Sequence, residues 1–249
     1  MNIFMDLVTT YLSSINDEHK IYIDIGASDC PNINMGLIGE STKSIFFEAG
    51  EPKAAALRSK LPDSPALLEV VEEMVTPDNV VSLIRGYIGS EDITFLDLDI
   101  DGYDFFVLQS LLQEVRPYII MAEINEKIPP PIKFAVKYEP EYWWDSSHFF
   151  GMSTSKFYEL AEKYEYDVVG LHFNNIFAIR KDKNISALPH LLADEAYNNG
   201  YKNPRMTGNA TDFNYNGNVD YLLSLEPKEA LNAIVELLKD YQGKYEIYI

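Results

Sequence analysis

Short apolar runs alternate with stretches of helical spacing along most of this chain, and that alternation sets the first expectation. KIYIDIG (20–26), SIFFEA (44–49), ALLEVVEE (66–73), ITFLDLDI (93–100), YIIMAEIN (118–125), YDVVGLHF (166–173) and NIFAIR (175–180) read as strands. Helices are predicted around 51–60, 77–86, 103–113 and 153–164, with Thr76 before Pro77 and Ser153 as start signals. Residues 3–15 place Ile3, Leu7, Val8, Tyr11, Leu12 and Ile15 at helical spacing, predicting a leading helix. A closing helix is predicted over about 227–241, with Pro227 near its start, followed by KYEIYI as an edge strand. Strands alternating with helices predict an α/β architecture with a mostly parallel sheet covered on both faces. The last two apolar runs are close enough to pair as an antiparallel hairpin at its edge.

Two segments break this rhythm. From Glu126 to Met152 no periodic element stands out, yet the segment carries Pro129, Pro130, Pro131, Tyr142, Trp143, Trp144, His148, Phe149 and Phe150. A loop this long in a compact domain is usually functional. Residues 184–218 are rich in Asn, Tyr and Gly and read as an insertion beyond the core. The organisation predicted is a domain over 1–183, with the leading helix and the aromatic loop 126–152, and a C-terminal extension over 184–249 packed on it.

Charge narrows the partners. The 249 residues carry a formal net charge of −19, which opposes every encounter with a nucleic-acid backbone or an anionic membrane surface. Hydrophobic residues make up 47%, enough for a sizeable core. A single cysteine, Cys30, leaves no internal disulfide framework. The amino terminus lacks a basic n-region and a long apolar run, so a soluble cytoplasmic protein is predicted. The tail and the terminal edge strand leave room for a homo-oligomer.

Carboxylates gather where strands end. FLDLDIDGYDFFVLQSLL (95–112) finishes an apolar run with Asp97, Asp99 and Asp101, then Gly102, then a helical pattern. That places acidic groups at the carboxyl edge of the sheet, where open α/β sheets bind ligands. The first strand ends in IDIGASDCPN, with Asp24, Gly26, Ser28 and Asp29. A nicotinamide or flavin pyrophosphate needs several glycines there, and these acids would repel it. A sulfonium and an ammonium group, as in S-adenosylmethionine (SAM), would be attracted instead. Glu48 in FFEAGEP lies 24 residues after Asp24, about where an acid accepts ribose hydroxyls, and Glu72 and Glu73 end the third strand. Each acid alone is more often a solvated strand end; their recurrence at consecutive strand ends is what carries weight.

DLDIDGYDFFVLQSLL is similar to the KIDVEGYELEVLKGL-like segment of FkbM-like SAM-dependent methyltransferases, with Asp99, Asp101, Gly102, Tyr103 and Asp104 on its polar positions. RPYIIMAEIN resembles the KPxxxxxEI-like strand that comes next in that family, with Glu123 on the acidic position. The likeness covers roughly residues 20–180 and departs from the family after the first strand, where Cys30-Pro31 replaces the usual second glycine. The resemblance implies a Rossmann-like methyltransferase fold, with a mostly parallel seven-stranded sheet and a closing hairpin. It also implies an O-methyltransferase acting on hydroxyls of sugars or polyketides.

On that reading Asp24, Gly26, Ser28, Glu48, Glu72 and Asp99 are the candidate cofactor contacts. A protonated sugar hydroxyl is a poor nucleophile, so a base or a metal ion should assist. His148, Asp99 and Asp101 are the candidate bases, although His148 reads equally as a histidine hydrogen-bonded within a packed loop. Asp99 and Glu123 could converge on a cation such as Mg²⁺ or Mn²⁺, since neighbouring strands lie about 4.8 Å apart. Structural roles compete: Asp101 as a helix cap, and Glu123 paired with Lys127 or Arg116. Glu123, Asn125, Lys127, Trp144 and Asn174 are the candidate substrate contacts. Lys127, Lys133 and Lys137 could hold the diphosphate of a nucleotide-activated sugar. The rival readings are a catalytically inactive scaffold of the same fold and a nicotinamide-dependent nucleotide-sugar oxidoreductase.

Overall fold

A computed structural model describes residues 20–30, 42–61, 68–185, 187–208 and 216–249. The leading helix expected over 3–15, and Pro31, lie outside the described residues. The apolar runs become strands β1 (Ile21–Ile25), β2 (Lys43–Glu48), β3 (Leu68–Glu72), β4 (Phe95–Leu98) and β5 (Ile119–Glu123). A short β6 (Lys133–Val136) comes next, then β7 (Tyr166–His172), β8 (Asn175–Arg180) and β9 (Tyr245–Tyr248). Seven of them form one mixed sheet in the order β3-β2-β1-β4-β5-β8-β7, parallel except where β8 runs against β5 and β7. The expected closing hairpin is therefore β7–β8.

Alternation along β1 divides the interior into two layers. Ile21, Ile23 and Ile25 face one core, shared with helices α2 (Val80–Ile88), α3 (Asp104–Glu114) and α4 (Thr154–Lys163). Tyr22 faces the other, with Phe46, Phe95, Met121, Phe177 and Leu57 of helix α1 (Glu51–Lys60). Ser153 caps α4 as expected, its hydroxyl accepting from Lys156 N. Pro77 forms a turn rather than the first helical residue: the Asn79 side chain accepts from Thr76 N, and α2 begins at Val80.

Two expectations about the irregular regions are corrected. The segment 126–152 contains β6, which pairs antiparallel with β9 in a separate two-stranded sheet. Strand β9 thus docks on the aromatic loop and adds nothing to the edge of the main sheet. Beyond β8, short helices α5 (Ala193–Tyr197) and α6 (Asn203–Met206) lead to α7 (Pro227–Leu237). Tyr197, Tyr201 and Leu223 of this region join the main core, while Ile234 and Leu238 cover Phe134 and Phe149. No helix among the described residues is long and apolar enough to cross a membrane.

Candidate active site

The strand order reverses between β1 and β4, and a crevice opens there at the carboxyl edge of the sheet. Gly26 ends β1 with a φ of +92°, and a Cβ built on it would lie 1.7 Å from the Asp99 carbonyl oxygen. Only glycine lets the two strand ends approach this closely. Its N–H and that of Ala27 both donate to Phe47 O, at 2.9 and 3.1 Å, fastening the loop to the end of β2. Glu48 completes the clamp: Oε2 accepts from Ser28 N at 2.8 Å and Oε1 from Gly50 N at 2.7 Å. Each oxygen keeps a second lone pair for a ligand hydroxyl.

The turn after β4 is fixed from beneath by Asp104. Its two oxygens accept from Ile100 N and Gly102 N, both at 2.9 Å. Burial pushes its carboxyl up to about 6 against those donors. Asp101 consequently sits at a φ of +54°, a conformation tolerated by few side chains. Gly102 lies under the Tyr142 ring, whose edge would meet a Cβ at 2.9 Å. The Tyr142 hydroxyl reaches Phe149 O at 2.8 Å and Asp101 O at 3.3 Å.

One ligand oxygen from each of Asp99, Asp101 and Glu123 lies within 4.8 Å of the others. Glu123 is 5% exposed; Asn174 Nδ2 donates to its Oε1 at 2.7 Å, and Asn175 in turn donates to Asn174 Oδ1 at 2.9 Å. Burial, with the Asp101 and Asp104 charges, pushes Asp99 up to about 8. Burial and then Asp99 hold Glu123 well above the carboxylate range. Asp101 is raised by burial, with Lys53 and Lys127 opposing. This end of the crevice gathers three carboxyl groups whose burial favours the protonated form, with Asp101 partly offset by Lys53 and Lys127.

The crevice is a cavity of 380 Å³, within the range of ligand pockets. Of the residues singled out from the sequence, Gly26, Ser28, Glu48, Asp99, Asp101, Glu123 and Trp144 line it. Asn174 touches it through Glu123. Trp143 stands at the mouth beside Trp144, at 64% and 36% exposure.

The other candidates stand elsewhere. Asp24 is fully buried behind the loop, its Oδ2 accepting from the Tyr22 hydroxyl at 2.8 Å in the Phe46–Phe95 layer. Burial pushes it up to about 7. Glu72 turns outward, 3.6 Å from Arg58 Nη1, and Glu73 lines the cavity in its place. Successive strand residues face opposite sides, so a one-residue difference decides which acid points in.

His148 lies in a separate hollow of 320 Å³ beside Asn218 and Tyr241, its Nε2 3.2 Å from Asn218 Oδ1. Tyr241, which lines the same hollow, stacks on the neighbouring Phe149 with ring centroids 4.1 Å apart. Burial and Lys127 lower the proton affinity of His148. The base role expected of it is therefore not one this geometry offers. Asn125 braces the aromatic loop by donating to His148 O and Phe150 O at 2.9 and 3.0 Å. Lys127 is buried, paired with Glu126 at 3.1 Å and lying over the Phe150 ring. Lys133 pairs with Glu159 and Lys137 donates to Gly243 O, so the three lysines form no common anion nest.

Sequence reasoning passed over Lys53, the one cation among the described residues that line the cavity. Its signal was position: the first turn of the helix after Glu48 lies at the rim.

No family model matches the sequence, and neither does any curated protein. Among solved structures, a putative caffeoyl-CoA O-methyltransferase from Staphylococcus aureus is similar at 10% identity, with 72% of this chain and 84% of that one covered and a TM-score of 0.48. Magnesium protoporphyrin IX methyltransferase from Synechocystis PCC 6803 with bound SAM gives 8%, 72%, 78% and 0.44 in the same order. Monomeric WbdD gives 14%, 72%, 41% and 0.45, so this chain spans less than half of that one. At these levels the likenesses are too distant to add weight. What stands on its own is the strand order: a Rossmann-like, mostly parallel seven-stranded sheet closed by an antiparallel hairpin, the arrangement expected of a methyltransferase fold.

Proposed function

We propose that this chain is a SAM-dependent O-methyltransferase acting on a hydroxyl of a carbohydrate. The observation that carries this reading is the carboxylate-lined cavity at the β1–β4 reversal, closed over the Gly26 cradle. When bound, SAM supplies an electrophilic methyl group on a positively charged sulfur. Glu48 is set to accept from ribose hydroxyls, its two oxygens already oriented by Ser28 N and Gly50 N. Glu73, Met74 and Val75 line the wall suited to the adenine. The acidic end favours the cationic part of the molecule. A pyrophosphate would meet the opposite field, which argues against a nicotinamide cofactor.

The acceptor enters past Trp143 and Trp144, exposed aromatic faces of the kind that pack against sugar rings. With Lys53 as the one lining cation among the described residues, a neutral sugar suits the mouth better than a diphosphate. Asp99 and Asp101 border the same space and are the groups placed to receive the hydroxyl proton.

Calorimetry with SAM and with its demethylated product tests this reading. Micromolar binding is expected, weakened roughly tenfold or more by Glu48→Gln, which turns an amide N–H toward an N–H donor. Absence of binding to the wild-type protein overturns it. Binding without methyl transfer to any of a pool of sugars and glycosides would favour the inactive scaffold.

A further inference from the structure

We propose that Asp99, Asp101 and Glu123 form a binding site for one hard divalent cation beside the acceptor position. The location rests on the methyltransferase reading; the binding does not. Three oxygens no more than 4.8 Å apart lie within about 2.8 Å of a common point. Small side-chain rotations bring that to the ~2.1–2.5 Å typical of Mg²⁺, Mn²⁺ or Ca²⁺ bonds to oxygen. An all-carboxylate set selects such hard ions over softer ones.

A separate observation points to a ligand. Glu123, a residue lining the cavity, is 5% exposed, and among the described residues its Oε2 meets no N–H or hydroxyl donor, only the neighbouring Asp99 carboxyl. A buried carboxylate oxygen left without a donor is costly, and a cation is the partner that three converging acids leave room for. The rest of the residue is prepared: Asn174 occupies Oε1 and is itself held by Asn175. Hydrogen bonds of this kind orient metal-ligating side chains. The Asp104 clamp does the same for the turn carrying Asp99 and Asp101. Lys53, at the rim, and Lys127, tied to Glu126, leave the space between the three acids to a ligand. A cation there would bind an acceptor oxygen and make its proton easier to lose.

Mn²⁺ serves as the probe, with electron paramagnetic resonance and calorimetry on the full chain without SAM as the readouts. One saturable Mn²⁺ per chain is expected, competed by Mg²⁺. Asp101→Asn should weaken it roughly tenfold or more, and Asn174→Ala, which removes no ligand, by a similar factor. Should Asp101→Asn fold poorly, the Asn174 variant and the wild-type stoichiometry carry the test. Absence of a saturable site, or affinity unchanged in both variants, overturns the proposal. The product-binding titration, repeated in chelator, keeps the two readings apart: nucleoside binding with no Mn²⁺ site sinks the cation alone, and the reverse sinks the cofactor assignment alone.

Discussion

Two clusters of carboxylates in this molecule have opposite fates. Around Lys156, Glu159 and Glu246 approach one buried ammonium at 2.8 and 3.3 Å, and Tyr248 OH lies 3.0 Å from it. Lys133 adds a second cation 3.0 Å from Glu159. Burial alone would raise the Glu159 carboxyl, yet the bonds to Lys156, Tyr248 and Lys133 bring it down to about 2. No such ammonium sits among Asp99, Asp101 and Glu123 within the described residues, and all three are pushed up. One cluster is a finished knot fastening β9 to α4. The other lines the cavity with no ammonium between its carboxyls among the described residues, and the proposed ligand-binding reading rests on that asymmetry.

The sharpest way to break this comparison is pH. Asp24, Asp99 and Asp104 have folded-state values of about 7, 8 and 6, all above the ordinary 3.8. Below pH 4 both states hold these protons. As pH rises the unfolded chain ionises first, so stability is lost progressively from about pH 4 to about pH 8. Thermal melts of ligand-free protein in chelator are expected to fall steadily over that window, and Asp24→Asn should flatten the slope. A melting temperature that rises with pH would contradict the account. The Glu159 knot behaves oppositely, keeping its contribution above pH 4.5 and losing it only as pH falls toward 2.

Next in size is the knot itself. Lys156→Met should cost about 3 kcal/mol in urea denaturation, since it strands Glu246 and half of Glu159 and removes the ammonium lying over the Phe105 ring. Product affinity should stay unchanged, and a large loss of affinity would show the two regions to be coupled. A smaller effect separates neighbours on β3: Glu73→Ala should weaken product binding several-fold, whereas Glu72→Ala should leave it alone. Smallest of all, His148→Ala should change turnover by less than about twofold, because its hollow does not open onto the cavity. A large fall in turnover with unchanged product affinity would restore it as a base.

The clustered acids were legible in the sequence because strand ends announce themselves: an apolar run stops, and the next side chains project from the carboxyl edge. Asp99 and Asp101 come from that rule, Glu48 from the rule with its spacing from Asp24, and Glu123 from the resemblance carried by RPYIIMAEIN. Glu72 did not, since periodicity locates a strand end to within a residue and the face flips with each step. The place of His148 was not legible because its ring meets Asn218, 70 residues away, which no local pattern reveals. β6 escaped because four residues give too little alternation to read, and its partner β9 is again distant. The lysines looked like a cluster in sequence but were claimed one by one by Glu126, Glu159 and Gly243.

The pairing of Phe134 with Ile247 and of Val136 with Tyr245 ties the aromatic loop to a segment made after every strand of the main sheet. A nascent chain can therefore assemble its seven-stranded sheet on the ribosome while β6 still lacks its partner. Deleting β9 should leave the seven-stranded sheet folded while β6 and the loop that follows it lose their antiparallel partner.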